Sequence, residues 1–150
     1  AAKTAEGKVF VAAIDCRTLR AGNGWILEFL AKASVEKAVV DGASGQELLK
    51  TEMRKKKIKA PALPTVKDVI MANSAFYQAV NLKQLCHMGQ PSLVQIASNC
   101  EKRAIGSNGG FGYKSINEAY DIALMDSMIL AQWMCGQKTK QTVKRQKISY

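Results

Sequence analysis

The chain is poor in the residues that build tight metal or redox sites. It has one histidine and four cysteines, at 16, 86, 100 and 135, with no Cys-x-x-Cys pair among them. A zinc site needs clustered thiolates and imidazoles, and a disulfide framework needs an oxidising context. Neither is signalled, so the thiols are expected reduced and mostly buried. No charge-free apolar run approaches ~18 residues, and no secretory leader can be read at the start. The expectation is an intracellular, soluble protein without a membrane partner. Nothing matches a Walker or a dinucleotide-binding fingerprint, and no internal repeat is visible.

Acids are also scarce. Twenty-two lysines and arginines face 12 aspartates and glutamates, a formal charge of +10, and no acid follows Asp126. Such a surplus suits a polyanionic partner, because cationic side chains that meet phosphates release condensed counterions. A basic protein with no such partner is the plainer alternative. The 150 residues and a hydrophobic fraction of 47% fit one ordinary domain with a real core. Residues 1–137 are taken as that domain, and residues 138–150, with five lysines and arginines, as a basic tail.

The pattern alternates. Residues 8–16 read as a buried strand, 25–31 as an amphipathic helix, 35–40 as a strand, 46–57 as a helix, and 58–63 as a proline-containing edge segment. Residues 65–82 read as a helix interrupted near Asn73 and Ser74, and 84–88 as a short strand or loop edge. Pro91 opens a helix running to about Lys102. Residues 106–112 read as a flexible glycine loop, and 116–137 as a last helix. This order predicts an α/β fold with a largely parallel sheet covered by helices.

The sharpest chemical signal is Val39-Val40-Asp41-Gly42, an acid where a β-branched run empties into a loop. Ligands of open α/β sheets gather at such strand ends. Asp41 can equally be a turn residue or helix cap. Asp126 stands in a mostly apolar helical stretch, where a carboxylate is costly without a cation or hydrogen bonds. Two such acids would offer hard oxygen ligands to Mg²⁺ or Mn²⁺. Asp121 and Asp15 rank behind them. Asp121 would lie ~140° from Asp126 on a shared helix, and Asp15 sits beside Arg17. His87, between Cys86 and Met88, reads as structural more readily than as a base.

Lys50, Arg54, Lys55, Lys56, Lys57 and Lys59 follow Asp41 closely, and Arg103 and Lys114 flank the glycine loop. These residues are the candidate DNA contacts. A solvated helix face explains the first six equally well.

Taken in order, VVDGASGQELL, HMGQPSLVQIASNC, a Gly/Asn-rich loop and INEAYDIALMDSMILA resemble the C-terminal nuclease domain of the terminase large subunit of tailed bacteriophages. The resemblance implies a ribonuclease H-like mixed sheet flanked by helices over residues 8–136. It also implies a Mg²⁺- or Mn²⁺-dependent endonuclease, a hydrolase that cuts double-stranded viral DNA during genome packaging in the host cytoplasm. Asp41 and Asp126 would be catalytic metal ligands, and the portal and small terminase subunit would be partners of the parent assembly. One departure stands out: that family's opening strand, with its first metal acid, has no counterpart before residue 8. A non-catalytic DNA-binding or assembly module is therefore the alternative. A third possibility is an α/β domain that binds phosphate through residues 42–45 at a helix start.

Overall fold

The computed structural model describes residues 1–42 and 45–137. The basic tail and residues 43 and 44 of the phosphate-loop reading lie outside that set. The described residues form a mixed α/β structure, with five α-helices and two small sheets. Among the described residues no helix is long and apolar enough to cross a membrane.

Strand β1 (Ala2–Lys3) turns back through Gly7 onto β2 (Val9–Phe10), with Thr4 accepting the Lys8 N–H on its hydroxyl at 3.1 Å. β2 pairs antiparallel with β1 and parallel with β3 (Leu85–Cys86). The strand expected over 8–16 is thus shorter, and its continuation from Val11 to Ala13 is held by isolated hydrogen bonds. The strand expected over 35–40 contracts to one parallel bridge, Val39 with Ala62, made by Val40 N–H to Ala62 O (3.0 Å) and Ala62 N–H to Ala38 O (2.8 Å). The 58–63 segment is therefore a partner in pairing. A large parallel sheet is absent among the described residues.

Side-chain alternation at that bridge decides the packing. Val39 packs against Ala72 and Phe76 of helix α3 (Val66–Asn81) and Met125, Ile129 and Leu130 of helix α5 (Ala123–Gly136). Ala38 and Val40 instead pack against Leu27 of helix α1 (Gly24–Lys32) and Leu49 and Met53 of helix α2 (Gln46–Lys55). Successive side chains point to opposite faces of an extended chain. One short extended segment therefore separates two apolar cores and delivers Asp41 at its end.

Helix α3 runs unbroken where an interruption was expected. Thr65 and Asp68 form a reciprocal capping box at its start. Within it, Asn73 and Ser74 turn their side chains back to the Val69 and Ile70 carbonyls, at 2.8 and 3.0 Å, so neither competes for a turn. Helix α4 (Pro91–Ser98) ends well before Lys102, because residues 100–105 are taken by strand β4 (Cys100–Ile105), paired antiparallel with β5 (Gly110–Ser115).

The glycine-rich stretch is thus a hairpin rather than a loose loop. Gly106 and Gly109 make its turn with positive φ. Gly110 and Gly112 let β5 close on its neighbours: a Cβ at 110 would lie 2.8 Å from the Ile105 carbonyl, and one at 112 would lie 2.7 Å from the Ile105 side chain. Tyr77, Phe111 and Tyr113 meet edge to face at 6.0 Å spacing, and the Lys102 ammonium lies 3.3 Å from the Tyr77 ring centre. These contacts fasten the hairpin to α3.

Candidate functional site

Asp126 occupies the first turn of α5, beside the buried Met125. A helix N-terminus normally favours a charged carboxylate. Its pKa nevertheless rises from 3.8 to about 6. The largest cause is desolvation by the surrounding protein, and the next is the negative charge of Asp41. Asp126 is exposed by surface area, yet the protein crowded around its carboxyl raises its pKa against the pull of the helix dipole.

Asp41 reaches this neighbourhood from the end of the bridge strand. It is exposed, and its Oδ1 accepts the Gly42 N–H at 2.8 Å, a local turn bond. That is the turn-residue geometry, but it coexists with the repulsive field on Asp126.

Arg103 of β4 acts on Asp126 in the opposite direction, lowering its pKa, while its Nε donates to the Tyr113 carbonyl at 3.1 Å. Asp121 adds a further upward push. It lies ahead of α5 and accepts the N–H of Ala123, the first helical residue, at 2.7 Å. Asp121 and Asp126 do not share a helix as expected, because α5 begins only after Asp121. Cys100, which the sequence reading did not single out, also belongs here. Burial raises its thiol pKa, and Asp126 raises it further. Nothing in its sequence context marks it except the apolar character of a half-buried thiol.

The remaining candidates lie elsewhere or are locally engaged. Asp15 pairs with Arg17 at 2.7 Å, the plain alternative considered for it. The exposed His87 accepts the Gly89 N–H on Nδ1 at 3.0 Å, within its own loop. Lys114 pairs across the hairpin with Glu101 at 2.9 Å. Lys50 pairs with Glu47 at 3.2 Å, and Lys59 donates to the Glu36 carbonyl at 2.9 Å. Arg54, Lys55, Lys56 and Lys57 are exposed at the C-terminal end of the ten-residue α2. That end is about 15 Å along the helix from the end that follows Asp41. Lys56, Lys57 and Lys59 rim a hollow of about 270 Å³ floored by Leu30, Val35 and Met53. The basic cluster thus belongs to the second core.

Hard carboxylate oxygens at Asp41 and Asp126 suit Mg²⁺ or Mn²⁺ in kind. Among the described residues, however, no three His, Cys, Asp or Glu side chains gather closely enough to hold one metal ion. No protein-family model, curated protein or solved structure matches the chain.

Proposed function

We propose that this chain is a nuclease-type domain that works on double-stranded DNA with Mg²⁺ or Mn²⁺. Its kind is the ribonuclease H-like nuclease domain of the phage terminase large subunit, which its ordered motifs resemble. The observation that carries the reading is the placing of Asp41 beside Asp126, whose pKa is raised to about 6 by desolvation first and by the charge of Asp41 second. Two carboxylates placed to repel one another on a partly desolvated surface gain most from a cation. When bound, such an ion would lower the pKa of a water and neutralise charge on a phosphodiester.

The chain's own residues would do the rest. Asp41 and Asp126 would hold the ion through oxygens brought from two different elements. Arg103, close enough to act on Asp126, would draw a phosphate to the same spot. Above about pH 6 Asp126 is ionised and the pair is competent to bind; below it, protonation weakens the site. The portal and small terminase subunit belong to this reading as partners of a parent assembly in the host cytoplasm.

A second reading, a DNA-binding or assembly module without catalysis, is favoured by the two-acid donor set, since in-line attack with two ions generally uses more anionic ligands. The deciding experiment is Mn²⁺ titration of the protein at pH 7.5, followed by NMR, with nicking of supercoiled plasmid in parallel. Paramagnetic broadening centred on Asp41 and Asp126, lost in Asp126→Asn, is expected. Broadening that avoids both residues overturns the metal site. Broadening and DNA binding without nicking select the second reading.

A further inference from the structure

Helix α2 ends in a tight reversal. The N–H groups of Lys56, Lys57 and Ile58 return to the carbonyls of Glu52, Arg54 and Met53 at 3.1, 3.0 and 2.9 Å, with Lys57 in the left-handed region at φ 57°. Ile58 is thereby turned back onto the second core, and the Lys59 ammonium reaches the Glu36 carbonyl at 2.9 Å. Between this reversal and the end of α1 with the segment after it lies the hollow of about 270 Å³. Its apolar lining is Leu30, Ala31, Val35, Ala38, Met53 and Ile58.

Three lysines, Lys56, Lys57 and Lys59, stand at its rim against one acid, Glu36, a surplus of two positive charges. Among the described residues no carboxylate pairs with any of the three. Lysines at a helix end often serve its last carbonyls. Here backbone N–H groups already serve three of them, and among the described residues the ammonium groups of Lys56 and Lys57 make no hydrogen bond. Glu28, which feels the charge of Lys56, is itself paired with Lys32 at 2.6 Å. Nor does the sequence beyond Gln137 complement this rim, since residues 138–150 hold five lysines and arginines and no acid.

We infer that this hollow binds a small aliphatic carboxylate, the anion of a short- or medium-chain fatty acid. The apolar lining takes the hydrocarbon body, and Lys56 and Lys57 hold the carboxylate at the mouth. Lysine stems lie along such a body while their ammonium groups stay at the surface. The lining has no aromatic ring and no side-chain donor besides the lysines. A nucleobase would therefore find neither a stacking face nor a partner for its polar edge. The volume falls just under the range of drug-sized pockets, which begins at about 300 Å³, so a whole diacyl lipid does not fit. The site uses neither Asp41 nor Asp126 and stands or falls independently of the nuclease reading.

The test uses the 150-residue protein with isotope-labelled methionine methyl groups, titrated with octanoate below its micelle-forming concentration and followed by NMR. A saturating shift of the Met53 methyl is expected, with Met125 and Met128 of the other core unmoved. Affinity should rise about fourfold for each methylene added from butyrate to octanoate. Uncharged octanol should bind about fivefold or more weakly than octanoate. Lys56→Gln combined with Lys57→Gln should weaken octanoate to the same degree and leave octanol unchanged. An unmoved Met53 methyl overturns the site, equal binding of octanol and octanoate overturns the carboxylate, and equal binding of butyrate and octanoate overturns the apolar seat. A Met53 shift with phosphatidylglycerol vesicles but not with free octanoate would assign the hollow to a membrane surface and likewise overturn the inference.

Discussion

The negative charge of Asp41, at the end of a strand bridge, raises the proton affinity of Asp126, at the start of a helix 85 positions later. Asp41→Asn should therefore lower the Asp126 pKa from about 6, although not to its ordinary 3.8, because burial is the larger cause and remains. Carboxyl-carbon NMR titration of Asp126 in both proteins checks this. An unmoved titration would mean the two side chains do not share a field.

The same shift sets a pH dependence of stability. The folded pKa of Asp126 lies above its unfolded value, so between about pH 4 and 6 the native state holds more protons than the unfolded state. Its contribution is present below about pH 4, is lost as pH rises through 6, and is a constant penalty above. Two pKa units convert to ~3 kcal/mol, which solvent screening at this partly open site reduces to about 1 kcal/mol. Asp126→Asn should accordingly stabilise the protein by about that amount at pH 7.5 and not at pH 3.5. Urea unfolding at the two pH values provides the comparison.

DNA affinity should fall steeply with salt. Exchanging both Lys56 and Lys57, exposed at the rim of the second core, for glutamine should flatten the slope of log affinity against log salt by roughly 2 if both touch phosphates. Titration of labelled duplex at several salt concentrations measures it, and an unchanged slope removes these lysines from the interface.

The two strand glycines should differ in tolerance. Gly110→Ala places its Cβ 2.8 Å from a backbone carbonyl that cannot easily yield, whereas the 2.7 Å neighbour at Gly112 is the end of a side chain that can rotate. Both should lie within an overpacking cost of about 1–3 kcal/mol, with Gly110→Ala the larger. Thermal melts of the two variants rank them, and the reverse order would contradict the packing described for the hairpin.

The helices were legible where local chemistry decides them. Residues 46–55 carry apolar positions at helical spacing, and Pro91 begins its helix as its missing N–H suggests. The errors fall where a partner distant in sequence overrides local pattern. Residues 100–102 read as the end of a helix until β5 pairs with them, and glycines 110 and 112 imitate a loop because their need is steric closeness. Asn73 and Ser74 imitate a break because their bonds to the preceding turn are invisible in composition. At the site, Asp41 and Asp126 were chosen from strand-end and apolar context. The roles of Arg103 and Cys100 beside Asp126 arise only when the hairpin folds back, and the last helix, expected from residue 116, begins at Ala123 and leaves Asp121 outside.

The two hydrogen bonds that join residues 38–40 to Ala62 are the described backbone closure of the segment containing α2. Leu49 and Met53 bind α2 to Leu27 of α1, so a clasp this small makes the α1–α2 pair, with its lysines, a natural unit of partial opening. It can detach while α3 and α5 remain packed on one another. Opening of this kind would carry away the strand end bearing Asp41 and leave Asp126 in place. Amide exchange in α2 should then run ahead of that in α3, and the acid pair would be assembled and dismantled on the timescale of that local breathing.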